Sequence, residues 1–587
     1  MLRYIYIFCP QHILITISIS MLSSILSVLN VLFLKYTIDS ITGGSSFIKV
    51  SIFLGGLLIM QLGFMLLNSW LQHKVMPKNV QTISQKMQMM LFKKAVEVEV
   101  KCYEDTDFYN KFTLAMQQAD SRALAVLNTF SMFIGSLFGI GAFSTLIGLY
   151  EPVILGVVLL RVALSFYINT CTIKVQHQYN EERVPFQREI GYQLRIFYLQ
   201  NYAKELRLFE GLPELMRKMY SVSTEKVKGL IETYGKKLMN MARIQGGIGA
   251  ISSTGVMIYL SYKVLKSILT IGDFIALSNS SQQLGGQITN FMSIFPQLYE
   301  HSLYIENFKE FVDYKPTIQP NEDGVVLNKV PSIELQNVSF SYSNSNKNVL
   351  DRVNIKIKSG EKVAFVGRNG AGKSTLVKLI TRLYDPVEGN ILIDGIPYYK
   401  YNTKSIRESI GIIFQDYQGY AMSIIENILM REIVDKEADE KLVERALIFS
   451  GLYDKVSSLP DGMYTKLTKE FSNKGTLLSG GELQKLAIAR VYARKCNIII
   501  LDEPSSSLDP IAENEMFNSM LSLAEDRTVI LISHRLANVK NVDRIFLLED
   551  GKVIEQGTHE ELMRFNGKYA DMYNIQANRY TGEAANY

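Results

Sequence analysis

The sequence is poor in charged residues and in cysteine. Asp, Glu, Lys and Arg make up 20% of its 587 residues, against about 25% in an average soluble domain, and they are missing from long stretches before residue 300. This distribution excludes a simple soluble enzyme. The formal net charge of +5 is too small for this length to indicate nucleic acid as a partner.

Only four cysteines are present, at positions 9, 102, 171 and 496, and none belongs to a CxxC pair. Their spacing indicates neither a zinc site nor a disulfide framework. Reduced and mostly buried thiols are therefore expected.

Six segments of the first half are apolar and long enough to cross a bilayer, which takes about 20 helical residues. The first is too long for the apolar core of a signal peptide and is followed by further spans, so we expect a multi-pass protein that stays in the membrane. The predicted spans are 11–34, 50–73, 123–150, 152–173, 244–262 and 274–299.

The connections between the spans predict the topology. The long connections 74–122 and 174–243 contain eight and thirteen Lys and Arg residues, which places them, and with them both termini, on the cytoplasmic side of the cell membrane. Their composition favours helices. These helices could transmit motion from a cytoplasmic domain, or they could be solvated hairpins without that role.

Two polar features lie inside the predicted spans. Arg161 is near the middle of the fourth span, where a charge is costly unless it faces protein or water. It could line a substrate path or be paired within the bundle. The sixth span is rich in Asn, Ser and Gln between 279 and 290, and this face is expected to look into the bundle or an aqueous cavity, or to serve helix packing.

The second half has a different character. Prolines and a turn signal mark a linker, after which short β-rich runs alternate with helical patterns, as in an α/β domain with a parallel sheet. The predicted fold is a multi-domain protein with an all-α six-helix transmembrane domain and an α/β domain, which the GxxxxGK[ST] motif at 367–375 indicates to be a P-loop nucleotide-binding domain. The predicted boundaries are 1–306 for the transmembrane domain, 307–332 for the linker, 333–570 for the nucleotide-binding domain and 571–587 for a tail.

A phosphate-binding loop follows an apolar strand at 362–366. Glycines let the backbone N–H groups and the following helix N-terminus face an anion. Lys373 would supply a positive charge to the outer phosphates, and the Ser374 hydroxyl would ligate Mg²⁺. The loop with GxxxxGK[ST] spacing comprises Gly367, Arg368, Asn369, Gly370, Ala371, Gly372, Lys373, Ser374 and Thr375.

Two further motifs complete the predicted ATP site. A buried strand at 498–501 ends in Asp502, placed to hold the metal, and Glu503, a candidate to orient or deprotonate the attacking water. Ser479, Gly480 and Gly481 open a helix and form a second anion-binding N-terminus. Since one ATP needs one phosphate loop, the second site suggests a dimer in which each loop faces this helix of the other chain.

These motifs, in this order, resemble the nucleotide-binding domain of ATP-binding cassette (ABC) transporters, and the whole chain resembles an exporter half-transporter. The resemblance implies that Tyr342 stacks on adenine and that Gln415 contacts Mg²⁺ and links the nucleotide to the spans. It also implies that the loop ending in Asp509 communicates across the dimer and that His534 contacts the γ-phosphate. Glu482 departs from the family, which usually has Gln there, and a carboxylate pointing at the phosphates would be repulsive.

The resemblance implies ATP-driven export across the lipid bilayer by a dimer, most simply a homodimer, with ATP and Mg²⁺ as cofactors. The connection around 203–209 is similar to that of exporters of ribosomally made peptides such as lantibiotics, so a peptide is the expected cargo. Segments near 105–109 and 198–205 are expected to dock on the nucleotide-binding domain. Because the first predicted span begins near residue 11, a leader-cleaving peptidase domain is not expected before it, and Cys9 is not expected to be a protease nucleophile.

Three alternatives remain open. One is a multidrug or lipid exporter of the same architecture. Another is an ATP-gated channel or sensor. The last is a soluble ABC ATPase acting on nucleic acid or ribosomes, against which the six spans argue.

Overall fold

The computed structural model describes residues 1–318, 321–342, 347–415, 417–468, 474–502, 520 and 526–581. They divide into two compact units. The first consists of Met1–Ala95 and Asn110–Tyr314, and the second of Val96–Tyr109 and Lys315–Tyr587. A short stretch of the first half of the chain therefore belongs to the second unit.

The first half of the chain is helical. A π-helical turn at Leu71–Val75 joins the helix that ends at Trp70 to the one that begins at Met76. The helices are α1 (Leu2–Phe8), α2 (Pro10–Thr42), α3 (Phe47–Trp70), α4 (Met76–Glu97), α5 (Val100–Glu104), α6 (Thr106–Tyr150), α7 (Pro152–Tyr198), α8 (Glu205–Leu208), α9 (Gly211–Leu265) and α10 (Ile271–Asp313).

Within the described part of the chain, five helical stretches are long and apolar enough to cross a membrane. They are Pro10–Thr42, Phe47–Glu97, Ser121–Tyr150, Pro152–Tyr198 and Gly211–Leu265, and they contain the first five predicted spans. The sixth lies in α10, whose Asn, Ser and Gln residues keep its hydropathy below that of the other five. Five of the six expected spans thus meet this test, and the sixth stays a prediction.

The helices continue beyond the predicted spans, as their composition indicated. α7 runs on to Tyr198, and α9 begins at Gly211, well before the predicted fifth span. The bounds of the linker stay a prediction, but α10 also continues to Asp313, past the predicted start of the linker at 307. The reason is burial, because Phe308 and Phe311 are almost fully enclosed and the Phe311 ring lies 4.9 Å from that of Phe112.

The core of the membrane unit brings distant helices together. Phe143 and Ile147 of α6, Ile154 of α7, Leu260 of α9 and Leu284 of α10 are all buried in one cluster. Van der Waals packing between such side chains stabilises a helix bundle in lipid, where no hydrophobic driving force acts between helices.

The second unit contains two sheets. One is antiparallel with strand order β2-β1-β4-β5, and the other has the order β10-β9-β3-β8-β7-β6. The strands are β1 (Ile333–Phe340), β2 (Leu350–Ile357), β3 (Lys362–Gly367), β4 (Glu388–Ile393), β5 (Ile396–Pro397), β6 (Ile410–Ile413), β7 (Ile498–Asp502), β8 (Thr528–Ile532), β9 (Arg544–Glu549) and β10 (Lys552–Gly557).

Helices surround these sheets. The last of them, α18 (Lys568–Thr581), includes residue 571, where the predicted tail begins. Tyr569 and Ala570 in its first turn are fully buried and anchor this helix. The helices of this unit beyond α5 are α11 (Lys373–Ile380), α12 (Thr403–Glu408), α13 (Ile424–Leu429), α14 (Lys436–Ser450), α15 (Tyr453–Ser457), α16 (Gly480–Ala493), α17 (His559–Phe565) and α18 (Lys568–Thr581).

The larger sheet sets the position of the site. β8 pairs in parallel with β3 on one side and with β7 on the other. The three strands are almost wholly apolar and buried, which is typical of a parallel sheet covered on both faces. Their carboxyl ends meet at one edge, where open α/β sheets bind ligands.

Candidate nucleotide site

The phosphate loop adopts the geometry that its sequence predicts. β3 ends at Gly367, and the backbone turns through left-handed conformations at Gly370 (φ 82°) and Gly372 (φ 99°) before α11 begins at Lys373. A Cβ atom on Gly372 would stand 2.6 Å from the Leu350 side chain. Glycine is therefore required there both by conformation and by space.

Lys373 lies within this loop. Its side chain is buried, and its Nζ donates to the carbonyl oxygens of Gly367 at 2.9 Å and Arg368 at 3.1 Å. These contacts hold the ammonium group at the centre of the loop, where it can compensate the charge of a phosphate.

Two of the three residues predicted to ligate Mg²⁺ are adjacent. Ser374 Oγ donates to Asp502 Oδ1 at 3.3 Å, and the Asp502 carboxylate is largely buried at the end of β7. A hydroxyl and a carboxylate are suitable ligands for Mg²⁺, which is held in nucleotide sites by few protein oxygens together with phosphate. The residues present thus fit this metal.

A cavity of about 520 Å³ adjoins the loop. Its size suits a nucleotide-sized ligand. It brings together the loop with Tyr342 and Gln415, which are separated from it in the sequence. The cavity is lined by Tyr342, Val349, Asn369, Gly370, Gly372, Lys373, Ser374, Thr375 and Gln415.

Tyr342 is held beside this loop. Its hydroxyl lies 3.1 Å from Thr375 Oγ1, and its ring packs edge-on against Phe340 and Tyr384. Lys378 Nζ lies 5.0 Å from the ring centroid. The aromatic face is thereby fixed at the wall of the cavity, as stacking on a base requires.

Glu482 caps its own helix. Its carboxylate accepts a hydrogen bond from the Ser479 backbone N–H at 2.7 Å, the Ser479 hydroxyl accepts from the Glu482 N–H at 3.4 Å, and Lys455 Nζ lies 3.4 Å from the carboxylate. The backbone hydrogen bond from Ser479, with help from Lys455, lowers the pKa of Glu482 despite partial burial. The carboxylate is thus engaged at its own helix N-terminus in a capping box.

The helix that Ser479, Gly480 and Gly481 open is α16, as predicted. In the described part of one chain these residues are not among those lining the cavity. Tyr417 donates a hydrogen bond to the Gly480 carbonyl oxygen at 3.1 Å and so orders this N-terminus.

His534 follows β8 at the same sheet edge. Its carbonyl oxygen accepts a hydrogen bond from Gln576 Nε2 at 2.7 Å, and Gln576 Oε1 accepts from the Leu536 N–H at 2.8 Å. Gln576 of α18 therefore fixes the backbone that carries the histidine. No motif in the sequence pointed to this residue.

Two predicted functional residues, Glu503 and Asp509, lie outside the described residues. Their roles stay predictions. The same holds for Ser507 and Leu508 of the loop ending in Asp509.

The stretch Val96–Tyr109 packs within the second unit. Val100 lies against the core around β1 to β3, and Glu104 accepts a hydrogen bond from Lys378 Nζ at 3.3 Å. The first cytoplasmic connection thus packs on this unit through α5, just before the predicted 105–109, and docking by 105–109 itself stays a prediction. In the second connection Tyr198 is 71% exposed, and its docking stays a prediction.

Glu99 also belongs to this stretch. Its buried carboxylate accepts hydrogen bonds from Thr317 Oγ1 at 2.6 Å and the Ile318 N–H at 2.5 Å, and it pairs with Lys101 Nζ at 2.7 Å. Burial alone would raise the pKa of Glu99, but these contacts outweigh it and lower the pKa. The stretch is thereby fastened to the chain that follows α10.

Comparison with known proteins agrees with this site. The model of the ABC transporter family matches residues 350–506. A subtilin transport ATP-binding protein of Bacillus subtilis is 27% identical over 84% of this chain and 79% of its own length. A nisin transport ATP-binding protein of Lactococcus lactis is 28% identical over 84% of this chain and 82% of its own length.

An ATP-dependent lipid A-core flippase of Burkholderia orbicola is 32% identical, but the match spans only 59% of this chain and 58% of the flippase. Among solved structures, a bacterial Atm1-family ABC exporter with ATP bound superimposes with a TM-score of 0.82 at 22% identity, over 98% of this chain and 99% of that one. The fold is thus shared along the whole chain. The chain thus joins an ATP-hydrolysing domain that matches the ABC transporter family to a helical membrane domain, which is the architecture of an exporter half-transporter.

Proposed function

We propose that two copies of this chain form a homodimer that exports a peptide, of the lantibiotic class or similar to it, from the cytoplasm, where both termini lie. The observation that carries the cargo assignment is the extent of similarity. The relatives named for subtilin and nisin transport match over 84% of the chain, which must include much of the membrane half. The flippase match covers 59%.

The proposal gives roles to the predicted residues around the phosphate loop. The loop from Gly367 to Thr375 binds the phosphates, and Tyr342 stacks on the adenine. Ser374, Gln415 and Asp502 would hold Mg²⁺, which when bound neutralises the charge on the β- and γ-phosphates. Support comes from the cavity in which Ser374, Gln415 and Tyr342 meet and from the Ser374 to Asp502 contact.

Hydrolysis then depends on two residues at strand ends. Glu503 orients or deprotonates the attacking water, and His534 contacts the γ-phosphate. The position of Asp502 at the end of β7, one residue before Glu503, supports the first role. The position of His534 after β8, between β3 and β7, supports the second.

The first experiment measures ATP binding and hydrolysis by the reconstituted protein and by Glu503→Gln. We expect the variant to bind ATP with Mg²⁺ as tightly as the wild type and to hydrolyse it at least about 100-fold more slowly, as loss of a general base implies. Glu560→Gln is a control, because Glu560 is an acidic residue of α17 that lies outside the site. Near-normal hydrolysis by Glu503→Gln would contradict the assignment.

The dimer is tested by mixing two inactive variants. Lys373→Ala removes the charge in the phosphate loop, and Ser479→Arg blocks the N-terminus of α16. In the proposed two-fold dimer, each site combines the phosphate loop of one chain with the α16 N-terminus of the other. A mixed dimer of the two variants then has one site in which both substitutions meet and one site that carries neither. We expect ATP hydrolysis that neither variant shows alone. No activity in the mixture would refute this dimer arrangement.

The cargo is tested in proteoliposomes with a panel of peptides, drugs and lipids. We expect peptides to stimulate hydrolysis and to accumulate against a gradient. Accumulation of drugs or lipids, but not of peptides, against a gradient would favour a multidrug or lipid exporter. ATP-dependent currents without accumulation would favour a gated channel.

A further inference from the structure

A single charge lies within the predicted spans. Arg161 is the only Asp, Glu, Lys or Arg in all six of them. It stands nine residues into α7, about 13 Å along the helix, and so near the middle of a hydrocarbon core of about 30 Å. A charge at that depth is retained in membrane proteins for a function or held by a partner.

The guanidinium of Arg161 has no partner in the described chain. None of the described hydrogen bonds or ion pairs of the membrane unit involves it. By contrast, charges near the span ends are paired, with Lys35 Nζ 2.6 Å from Asp273 and Lys263 Nζ 3.1 Å from Glu151. Arg161 therefore keeps its five N–H donors available.

Two glycines make room for this side chain. A Cβ atom on Gly285 of α10 would stand 2.9 Å from Arg161 Nη1, and one on Gly249 of α9 would stand 3.4 Å from Nη2. The guanidinium thus lies against bare backbone of two neighbouring helices. The niche leaves the side chain half-buried.

A polar face runs along α10 beside the niche. Gln282, Gly286 and Asn290 recur every fourth residue and are exposed in the single chain, so they share one face of the helix. Lipid tails do not accommodate such a face, which instead lines water or another polar surface. A polar ligand in that space could reach Arg161.

We propose that Arg161 binds a carboxylate of the transported peptide at mid-membrane, an inference that rests on the proposed peptide cargo. A second copy of this chain supplies no acid at that depth, because its spans contain none. A lipid phosphate at the bilayer surface is about half the core thickness away. A bidentate carboxylate matches the planar donors of arginine.

The experiment uses the full-length protein in proteoliposomes. The probes are a fluorescent amphipathic peptide with four Glu residues and its counterpart with four Gln residues. For the wild type we expect the acidic peptide to stimulate ATP hydrolysis at a concentration about tenfold lower than the neutral one, one charged pair being worth about this factor. Arg161→Gln should remove this difference, and Arg161→Lys should keep part of it.

Adjacent glycines provide matched variants. Gly285→Ala crowds the guanidinium and should weaken the preference for the acidic peptide, whereas Gly286→Ala, with no atom within 4 Å of its Cβ position, should not. Melting temperatures are measured for every variant. A structural role for Arg161 would lower the melting temperature of Arg161→Gln without altering the preference.

The outcomes separate the site from the cargo. Equal response of the wild type to both peptides, or an unchanged preference in Arg161→Gln, overturns the carboxylate site. If neither peptide acts, vesicles with phosphatidylglycerol are compared with vesicles of phosphatidylcholine alone. A response to the anionic lipid that Arg161→Gln abolishes would overturn the peptide cargo and this proposal with it, while leaving the ATPase assignment intact.

Discussion

The attachment of Val96–Tyr109 through Glu99 gives a quantitative prediction. The carboxylate is 4% exposed and accepts hydrogen bonds from Thr317 and Ile318, and a hydrogen bond to a charged group contributes about 1.5–3 kcal/mol. Lys101 is 35% exposed, so its pairing adds at most about 1 kcal/mol. In Glu99→Gln one amide oxygen still accepts, while the charge and the pairing with Lys101 are lost.

We therefore expect Glu99→Gln to weaken this attachment by about 2–3 kcal/mol, which raises its opening equilibrium roughly 30- to 150-fold. The assay is hydrogen exchange of the Ile318 amide in the full-length protein, because this N–H donates directly to Glu99 and local opening controls its exchange. Thr317→Val should increase the exchange rate of the Ile318 amide by a smaller factor. Glu306→Gln, an exposed acidic residue of α10, serves as the control.

The pH dependence has a definite sign. Because the folded-state pKa of Glu99 is lowered, its contribution is fully present above the unfolded pKa and is lost as the pH falls through the folded pKa. In the wild type, protection of the Ile318 amide against hydrogen exchange should therefore decline in acid. In Glu99→Gln this protection should change less with pH. At neutral pH, the exchange rate of the Ile318 amide in Glu99→Gln should exceed that of the wild type by far more than about threefold. A rate within about threefold of the wild type would refute the reasoning.

Substitutions at three further positions, with Gly360→Ala as a control, test the nucleotide-binding domain. Glu482→Gln should leave ATP hydrolysis within about twofold, since the carboxylate caps α16, whereas Glu482→Ala should cost about 1 kcal/mol in a denaturation measurement. Gly372→Ala should abolish ATP binding measured by fluorescence, while Gly360→Ala, equally left-handed but with open space at its Cβ, should not. Gln576→Leu should lower kcat with little change in the KM for ATP, because it frees the backbone at His534; a change in KM alone would contradict this.

The sequence predicted the parts of the fold whose signals are local. The strand, turn and helix around Gly372 follow from one continuous motif, and β3 and α11 begin where that motif places them. The run at 498–501 likewise became a buried central strand. The departure at Glu482 also had a local explanation, since Ser479 and Glu482 have the spacing of a capping box.

The contacts that the sequence could not indicate join distant segments. Gln576 reaches His534 across 42 residues, and Glu99 meets Thr317 across 218. Glutamine and glutamate at such positions carry no pattern, because only the folded chain brings their partners near. α10 and α18 likewise run across the predicted boundaries at 307 and 571, where buried aromatic residues such as Phe311 and Tyr569 hold them in place.

Lys378 connects the stretch Val96–Tyr109 with the nucleotide cavity. Its ammonium group lies 3.3 Å from Glu104 and 5.0 Å from the centroid of the Tyr342 ring, one turn after Thr375 of the phosphate loop. The pull of burial on the pKa of Lys378 is outweighed by Tyr342 and Glu104, which raise it, so the lysine stays charged. In the proposed site a base stacked on Tyr342 would contact the ring beside Lys378, and we expect it to change the interaction of Lys378 with Glu104. By linkage, the factor by which ATP binding changes the equilibrium of the Lys378 to Glu104 contact equals the factor by which loss of that contact changes the affinity for ATP.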